Sequence, residues 1–163
     1  SQEKMNMTAK KNALFICVHN SARSEIAEED LKKLGGEKWH VESAGFDPGK
    51  VNPLVVKVMA EEGIDLSNKN TQKVFELFKQ GKTFQYVTTV CSESEEGNCP
   101  IFPGMTHRLH LPFPDPAQLE GTEEEKLAKL RKIRDQIKEM IEQLIEWDAS
   151  GHKKKLGDHW EIR

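Results

Sequence analysis

The segment that most constrains the fold of this chain is a short apolar run near its amino end. Residues 13–18 are all apolar, which is the length and composition of a strand buried on both faces of a sheet. A polar turn at 19–21 follows directly, and from Arg23 to Gly35 the apolar residues recur at the spacing of a helix. The segment therefore predicts a strand–loop–helix unit, the building block of a parallel α/β sheet.

The rest of the chain continues the alternation of strands and helices. The clearest helix begins at a capping box formed by Thr122 and Glu125 and carries one apolar stripe as far as Trp147. The alternation predicts a parallel sheet with helices on both faces, and such sheets bind ligands at the carboxyl ends of their strands. The other segments predicted as short strands are 40–44, 86–91 and 107–111, and further helices are predicted after Asn52 and at 74–78.

The size and charge of the chain argue against several classes of function. Its 163 residues fit one domain, and 24 Lys and Arg against 27 Asp and Glu give a net charge of −3, so no basic field attracts nucleic acid. No apolar segment has the roughly 18 residues that a membrane helix needs, and no secretory signal is recognisable. Three cysteines are too few for a disulfide scaffold and indicate a reducing compartment. We therefore expect a cytoplasmic, monomeric protein with no nucleic-acid or membrane partner.

The loop between the first strand and the first helix has the residues of an anion site. Cys17 lies at the end of the strand, five residues separate it from Arg23, and backbone N–H groups and the positive end of the helix dipole meet between them. This setting favours the thiolate of Cys17, and the planar guanidinium of Arg23 can hold two oxygens of a tetrahedral oxyanion. The bare spacing fits a buried strand-end cysteine and an exposed arginine equally well, but the strand and helix around it favour the anion site.

The sequence of this loop resembles that of a known family. Residues 14–24 are similar to the active-site loop shared by low-molecular-weight protein tyrosine phosphatases and thioredoxin-coupled arsenate reductases. The resemblance covers residues 12–147 and implies a single catalytic domain with a three-layer α/β fold and a four-stranded parallel sheet. Residues 1–11 and 148–163 are then expected to be flexible termini. Further segments that match are 42–45, 51–53, 63–67 and 115–116.

The resemblance also implies roles for individual residues. Cys17 would be the nucleophile, and Asp115, on a loop stiffened by Pro116, would be the general acid that protonates the departing oxygen. An Asp-Pro pair by itself is a common turn dipeptide, so this assignment depends on the resemblance. The residues implied to bind the oxyanion are Val18, His19, Asn20, Ser21, Ala22, Arg23 and Ser24.

Cys91 and Cys99 distinguish the two branches of the family. Their surroundings resemble the second and third cysteines of the reductases. By that resemblance Cys17 forms an adduct with arsenate, Cys91 attacks Cys17 to release arsenite, and Cys99 attacks Cys91. Thioredoxin would then reduce the Cys91–Cys99 disulfide, so no organic cofactor is implied. On spacing alone, a small apolar residue at a strand end and an unrelated loop thiol explain these two cysteines better.

Two other functions remain open on the sequence. A tyrosine phosphatase that works through a cysteinyl-phosphate intermediate would use the same loop, but Ala117 and Gln118 follow the Asp-Pro pair where phosphatases often carry an aromatic residue. A non-catalytic arsenite or redox sensor could use the three thiols, which capture trivalent arsenic, but it would not need Arg23 or Asp115. The cysteine spacing does not match a structural zinc site, so no metal centre is expected.

Some positions depart from the related reductases. His19 stands where glycine is frequent, and Ala22 stands where a further cysteine can occur; we expect the His19 side chain to face solvent. Members of the family can bind potassium beside the loop through four residues. The fourth position is here Lys73 or Val74, so an ammonium group can replace the cation, and we expect activity that is independent of potassium. The three matching positions, which would form at most a vestigial site, are Asn20, Glu28 and Ser43.

Overall fold

The central element of the fold is a five-stranded sheet. The computed structural model of the protein describes residues 10–92 and 107–163. Strands β1 to β4 are parallel, and the short β5 pairs antiparallel with β4 at the edge, giving the order β2-β1-β3-β4-β5. The strands are β1 (Lys11–Cys17), β2 (Trp39–Gly45), β3 (Tyr86–Thr89), β4 (His107–His110) and β5 (Glu161–Ile162).

Four α-helices connect and cover these strands. The capping box predicted at Thr122 and Glu125 is present, and Asn52 caps the second helix by accepting a hydrogen bond from the Leu54 N–H. Short 3₁₀ turns at Gly36–Lys38 and Pro116–Gln118 complete the connections. The helices are α1 (Arg23–Gly35), α2 (Pro53–Ala60), α3 (Val74–Lys79) and α4 (Glu123–Ala149).

Strand β1 is buried on both faces, as its apolar sequence predicts. Ala13, Phe15 and Cys17 belong to the larger apolar cluster, which includes residues of α1, α2 and α4. Leu14 and Ile16 belong to the smaller cluster on the opposite face, together with residues of α3. The sheet is therefore the middle layer of three, which confirms the predicted α/β class.

The carboxyl-terminal segment differs from the expectation. The four-stranded sheet was an incomplete prediction because β5 adds a fifth, antiparallel strand, in which Leu109 pairs with Ile162. Residues 148–163, expected to be a flexible terminus, instead pack on the domain and bury Leu156 and Trp160. Two apolar anchors and the free edge of β4 are sufficient to dock a segment that is otherwise polar. Among the described residues, no helix has the length and hydrophobicity needed to cross a membrane.

Candidate active site

Cys17 lies at the carboxyl end of β1, where the chain turns into α1. Its side chain is buried and its thiol is free. The backbone N–H of Asn20 donates to the Cys17 Sγ at 3.1 Å, and the Ser24 Oγ lies 3.0 Å from the same sulfur. Asn20 adopts a positive φ of 51°, a conformation that asparagine tolerates better than most residues, and this turns its N–H towards the sulfur. The loop therefore surrounds Cys17 with polar hydrogen-bonding groups that favour its thiolate.

The Asn20 side chain determines the direction of the hydrogen bonds around Cys17. Its Nδ2 donates to the Ser24 Oγ and to the Ser43 Oγ, both at 2.9 Å, and its Oδ1 accepts from the Gln72 N–H. Because the Ser24 Oγ accepts from Asn20, its own hydrogen is available to the sulfur. The arrangement thus makes Ser24 a donor to the Cys17 sulfur.

The backbone of the loop is held by the segment that follows β2. The carbonyl of Val18 accepts from the Asp47 N–H at 2.8 Å, and that of Ser21 accepts from the Asn52 N–H at 2.8 Å. Gly45 allows this close approach, since a Cβ at that position would lie 2.7 Å from the Asn20 nitrogen. The loop carbonyls therefore bond to neighbouring backbone, which leaves the centre of the loop to N–H donors that suit an anion.

Arg23 and Asp115 meet beside this loop although they are far apart in sequence. Arg23 is buried, and its Nη1 donates to the Phe113 carbonyl at 3.0 Å. Its Nη2 lies 3.8 Å from the Asp115 Oδ1, which also accepts from the Ala117 N–H at 3.0 Å. The structure therefore brings the guanidinium and the carboxylate of the Asp-Pro pair to the same end of the sheet as Cys17.

Cys91 follows β3, the strand next to β1 in the sheet. The Val90 N–H donates to the Ile16 carbonyl at 2.9 Å, so Cys91 and Cys17 leave adjacent strands at the same edge. Cys91 is buried and forms a disulfide, whereas Cys17 is free. Cys99 lies outside the described residues.

The remaining loop residues contribute their backbone or face outwards. His19 is exposed, as predicted, and its Nδ1 lies 3.1 Å from the Asp47 carbonyl oxygen. Val18 and Ser21 are half-buried, while Ala22 is buried at the start of α1 and provides no side-chain cap. Val18, Ser21 and Ala22 have uncharged side chains, so they shape the loop without adding charge to it.

A cluster of charged side chains lies behind the loop, on the buried side of α1. The Lys69 Nζ lies 2.6 Å from the Glu28 Oε2, 2.8 Å from the Glu29 Oε1 and 3.6 Å from the Glu25 Oε2. The fully buried Glu25 accepts no hydrogen bond from a described residue. Burial, and secondarily the charge of Glu28, raise the pKa of Glu25 to about 7, partly offset by Lys69. We call Glu25, Glu28, Glu29 and Lys69 the carboxylate–lysine cluster.

The carboxylate–lysine cluster does not fit a potassium ion. The Lys69 ammonium already bonds to Glu28, the Ser43 hydroxyl donates to the other oxygen of Glu28, and the Asn20 Oδ1 is engaged by the Gln72 N–H. The replacing ammonium is therefore Lys69 and not Lys73, which precedes α3 and is exposed. Sequence reasoning missed Lys69 because it lies in a polar connection without a recognisable pattern.

Comparison with known proteins identifies the family. Residues 12–156 match the family described as low molecular weight phosphotyrosine protein phosphatase. The arsenate reductase of Bacillus licheniformis is 39% identical over 138 residues, which are 85% of this chain and 97% of that protein. A solved arsenate reductase in the phosphate binding state aligns with a TM-score of 0.64 at 28% identity, over 83% of this chain and 97% of the other. A thioredoxin-dependent arsenate reductase from Corynebacterium glutamicum aligns with a TM-score of 0.53 at 26% identity, over 86% of this chain and 66% of that one.

The matched residues contain the whole Cys17 loop, the Asp-Pro pair and nearly all of the sheet. The match covers most of the chain and includes β2, β3, β4 and all but the first residue of β1. The chain therefore belongs to the low molecular weight phosphotyrosine protein phosphatase family.

Proposed function

We propose that this chain reduces arsenate to arsenite and is regenerated by thioredoxin. The observation that carries the proposal is the pairing of a free Cys17 thiol in an oxyanion loop with a disulfide at Cys91, just after the adjacent strand β3. A phosphatase needs no second thiol, whereas reduction of arsenic requires two electrons from thiols. Relatives named arsenate reductase, at 39% identity over nearly their whole length, support the same function.

The first half of the reaction uses the loop and Asp115. The Cys17 thiolate attacks arsenic, a sulfur–arsenic bond forms, and the bond from arsenic to one of its hydroxyl groups breaks. Asp115 gives its proton to the departing oxygen, which leaves as water. Arg23 holds two of the remaining oxygens, and the loop N–H groups stabilise the charge that they carry. Arsenic remains pentavalent in this adduct.

The second half transfers two electrons from sulfur to arsenic. The Cys91 thiolate attacks the Cys17 sulfur, the sulfur–arsenic bond breaks with its electron pair on arsenic, and arsenite leaves. The Cys99 thiolate then attacks the Cys91 sulfur, which restores the Cys17 thiolate and leaves a Cys91–Cys99 disulfide. The dithiol of thioredoxin reduces this disulfide by exchange, so the cycle requires no organic cofactor.

The oxidation state of the cysteines supports this sequence of steps. Because Cys17 is free, the disulfide at Cys91 is not the Cys17–Cys91 intermediate. A free nucleophile beside an oxidised second cysteine is the state expected after arsenite has left and before thioredoxin acts. We further propose that the enzyme works as a monomer in the cytoplasm and has no nucleic-acid partner.

The proposal is tested by following NADPH consumption with arsenate, thioredoxin and thioredoxin reductase. The wild-type chain should turn over continuously, and a reaction without arsenate gives the background. Cys99→Ser should release about one equivalent of arsenite and then stop without consuming NADPH above background, because its Cys17–Cys91 disulfide is not passed on to thioredoxin. Cys17→Ser should consume no NADPH above background.

Two outcomes would replace the proposal by another function. If the wild-type chain hydrolyses an aryl phosphate but oxidises no NADPH in response to arsenate, it is a phosphatase and Cys91 and Cys99 are not catalytic. If it binds arsenite and turns over neither substrate, it is a sensor. In the enzyme, by contrast, substitution of Arg23 should abolish turnover and leave arsenite binding to the thiols intact.

A further inference from the structure

A continuous chain of hydrogen bonds links the carboxylate–lysine cluster to the sulfur of Cys17. The Ser43 Oγ donates to the Glu28 Oε1 at 2.5 Å and accepts from the Asn20 Nδ2. Asn20 donates its second Nδ2 hydrogen to the Ser24 Oγ, which lies 3.0 Å from the Cys17 Sγ. Every residue in this series of hydrogen bonds is buried. The series thus connects a charged group behind the loop to the reacting sulfur atom without passing through solvent.

The direction of these hydrogen bonds follows from the groups at the two sides of Asn20. A carboxylate only accepts, so the Ser43 hydroxyl donates to Glu28 and accepts from the Asn20 Nδ2. On the other side, the Asn20 Oδ1 accepts from the Gln72 N–H. The orientation of the Asn20 amide, and with it the hydrogen of Ser24, is therefore fixed by the Glu28–Ser43 pair together with the Gln72 N–H.

We propose that Lys69 is a built-in counterion that holds the Glu28 carboxylate against Ser43 and thereby positions Asn20 and Ser24 around the Cys17 thiolate. Lys69 is a positioning residue, because it contacts neither Cys17 nor the oxyanion loop. The inference rests on the proposed role of Cys17 as the nucleophile. It does not depend on whether the substrate is arsenate or a phosphate ester.

Glu25 holds Lys69 in this place. A lysine that paired only with Glu28 and Glu29 could follow Glu29 towards solvent, since Glu29 is only half-buried. The Glu25 Oε2, at 3.6 Å from the Lys69 Nζ, places a fully buried acceptor on the inner side of the ammonium, and with a pKa of about 7 this carboxyl group carries part of a negative charge at neutral pH. With three carboxyl groups around it, the Lys69 ammonium is kept charged, and the pKa of Lys69 is raised although burial acts against it.

Lys32 provides a matched control for Lys69. Its Nζ lies 2.5 Å from the Glu28 Oε2 and 3.7 Å from the Glu29 Oε1, so it contacts the same two carboxylates. Its side chain is 44% exposed, however, against 19% for Lys69, and water therefore screens its charge. A specific role for the buried ammonium predicts that the two lysines differ, whereas a general effect of positive charge predicts that they do not.

The test measures the thiolate of Cys17 directly. In a full-length Cys91→Ser, Cys99→Ser background, where Cys17 is the only thiol, the rate of alkylation by iodoacetamide is followed against pH. Lys69→Met should move the midpoint of this profile upwards by about one pH unit, because Ser24 and Asn20 no longer stabilise the thiolate. Lys69→Arg, which keeps the charge, should stay close to the parent, and so should Lys32→Met.

The same variants with all three cysteines are compared for kcat and KM with arsenate and thioredoxin. Lys69→Met should lower kcat/KM about tenfold, while Lys69→Arg should restore most of it. Replacing choline by potassium at constant ionic strength should not change the rate of the wild-type chain, because the ammonium already occupies the cluster. Strong activation of the wild-type chain by potassium would contradict this.

The outcomes separate a positioning role from a structural one. If Lys69→Met lowers the melting temperature but leaves the alkylation profile unchanged, Lys69 is structural and the proposal fails. If Lys32→Met shifts the profile as much as Lys69→Met, the effect is general electrostatics and the proposal also fails. If Cys17 is not alkylated at any pH in any variant, it is not a reactive nucleophile, which overturns the proposed function itself.

Discussion

The two ends of the sheet each carry a polar cluster, and the two clusters differ in where their hydrogen-bond donors point. The carboxyl end has the loop of Cys17. The amino end has what we call the amino-end cluster, which consists of Tyr86 and His107 at the starts of β3 and β4 and of Trp147, Asp148 and His152 at the end of α4 and just beyond it. Both combine a charged carboxylate, hydrogen-bond donors and close packing, so composition alone does not distinguish a functional cluster from a structural one.

In the amino-end cluster the polar groups pair with one another around the Tyr86 hydroxyl and the Asp148 carboxylate. The Tyr86 hydroxyl donates to the Asp148 Oδ1 at 2.5 Å, and its oxygen therefore accepts from the His152 Nε2 at 2.7 Å. Lys11 pairs with the other oxygen of Asp148. Burial and the nearby Asp148 charge raise the pKa of Tyr86, so the hydroxyl remains a donor. This cluster joins β1, β3, α4 and the carboxyl-terminal segment to one another.

In the carboxyl-end loop the donors instead converge on a single sulfur and on the space beside Arg23. The Asn20 N–H and the Ser24 Oγ both face the Cys17 Sγ. Such convergence is useful only if an anion is bound or formed there. Donors that converge on one atom therefore indicate a reacting site. Donors that are already paired with neighbouring acceptors indicate a structural contact between helices and strands.

The largest effect that tests this difference is expected for Arg23→Lys. Lysine keeps the positive charge but loses the planar fork that holds two oxygens, so kcat/KM for arsenate should fall about 100-fold or more. The matched control is Arg131→Lys, at an exposed pair with Glu61, which should leave kcat/KM unchanged. Steady-state kinetics with thioredoxin in excess provides the measurement. Equal kcat/KM values for wild type and Arg23→Lys would mean that a point charge is enough at this position.

The amino-end cluster should respond in stability and not in activity. Tyr86→Phe removes the donor to Asp148, so the free energy of unfolding should fall by about 1–3 kcal/mol. The value of kcat/KM should stay within about twofold, because the change lies at the other end of the sheet. Urea unfolding and steady-state kinetics measure the two quantities. A large loss of activity at unchanged stability would refute the division between the two ends.

A double-mutant cycle sharpens this prediction. Asp148→Asn removes the charge that Tyr86, Lys11 and His152 share, and the double variant Tyr86→Phe, Asp148→Asn should be less destabilised than the sum of the two single variants. Additive losses would indicate that the two residues stabilise the fold independently in spite of the 2.5 Å hydrogen bond.

The sequence predicts the parts of the molecule that are local or that carry a recognisable pattern. The strand at 13–18 is marked by its apolar run, and the capping box at Thr122 marks the start of the longest helix. Cys17 and Arg23 are six residues apart on one strand–loop–helix unit, so their proximity follows from local geometry. The approach of Asp115 to Arg23 spans 92 positions and could be expected only through the resemblance.

What the sequence did not predict is formed by contacts between distant residues. Lys69 bonds to Glu28 across 41 positions, and no spacing rule marks a lysine in a polar connection as a partner of a helix. The two residues of β5 are too few to show alternation, and they form a strand only because the edge of β4 is free to pair. Trp160 is buried through the same docking. Such features depend on the assembled sheet, which a one-dimensional pattern does not contain.

The smallest effect is expected for the pH dependence of stability at His107. Its ring stacks on Tyr86 with centroids 5.0 Å apart and lies 4.5 Å from the ring of His152. Burial, followed by the charge of His152, lowers the pKa of His107, and Asp148 opposes this only in part. The unfolded chain therefore takes up the proton first as the pH falls below about 6.5. It follows that His107 costs the folded state stability progressively as the pH decreases from 7 towards 5.

His107→Gln should accordingly show a shallower loss of unfolding free energy between pH 7.5 and pH 5 than the wild-type chain. The control is His159→Gln, at an exposed position, whose pH dependence should match that of the wild type. Urea unfolding at three pH values gives the slopes. Parallel curves for wild type and His107→Gln would show that the amino-end cluster admits a proton without cost. The donors and acceptors of that cluster would then not be fully paired with one another, and the contrast with the loop of Cys17 would not hold.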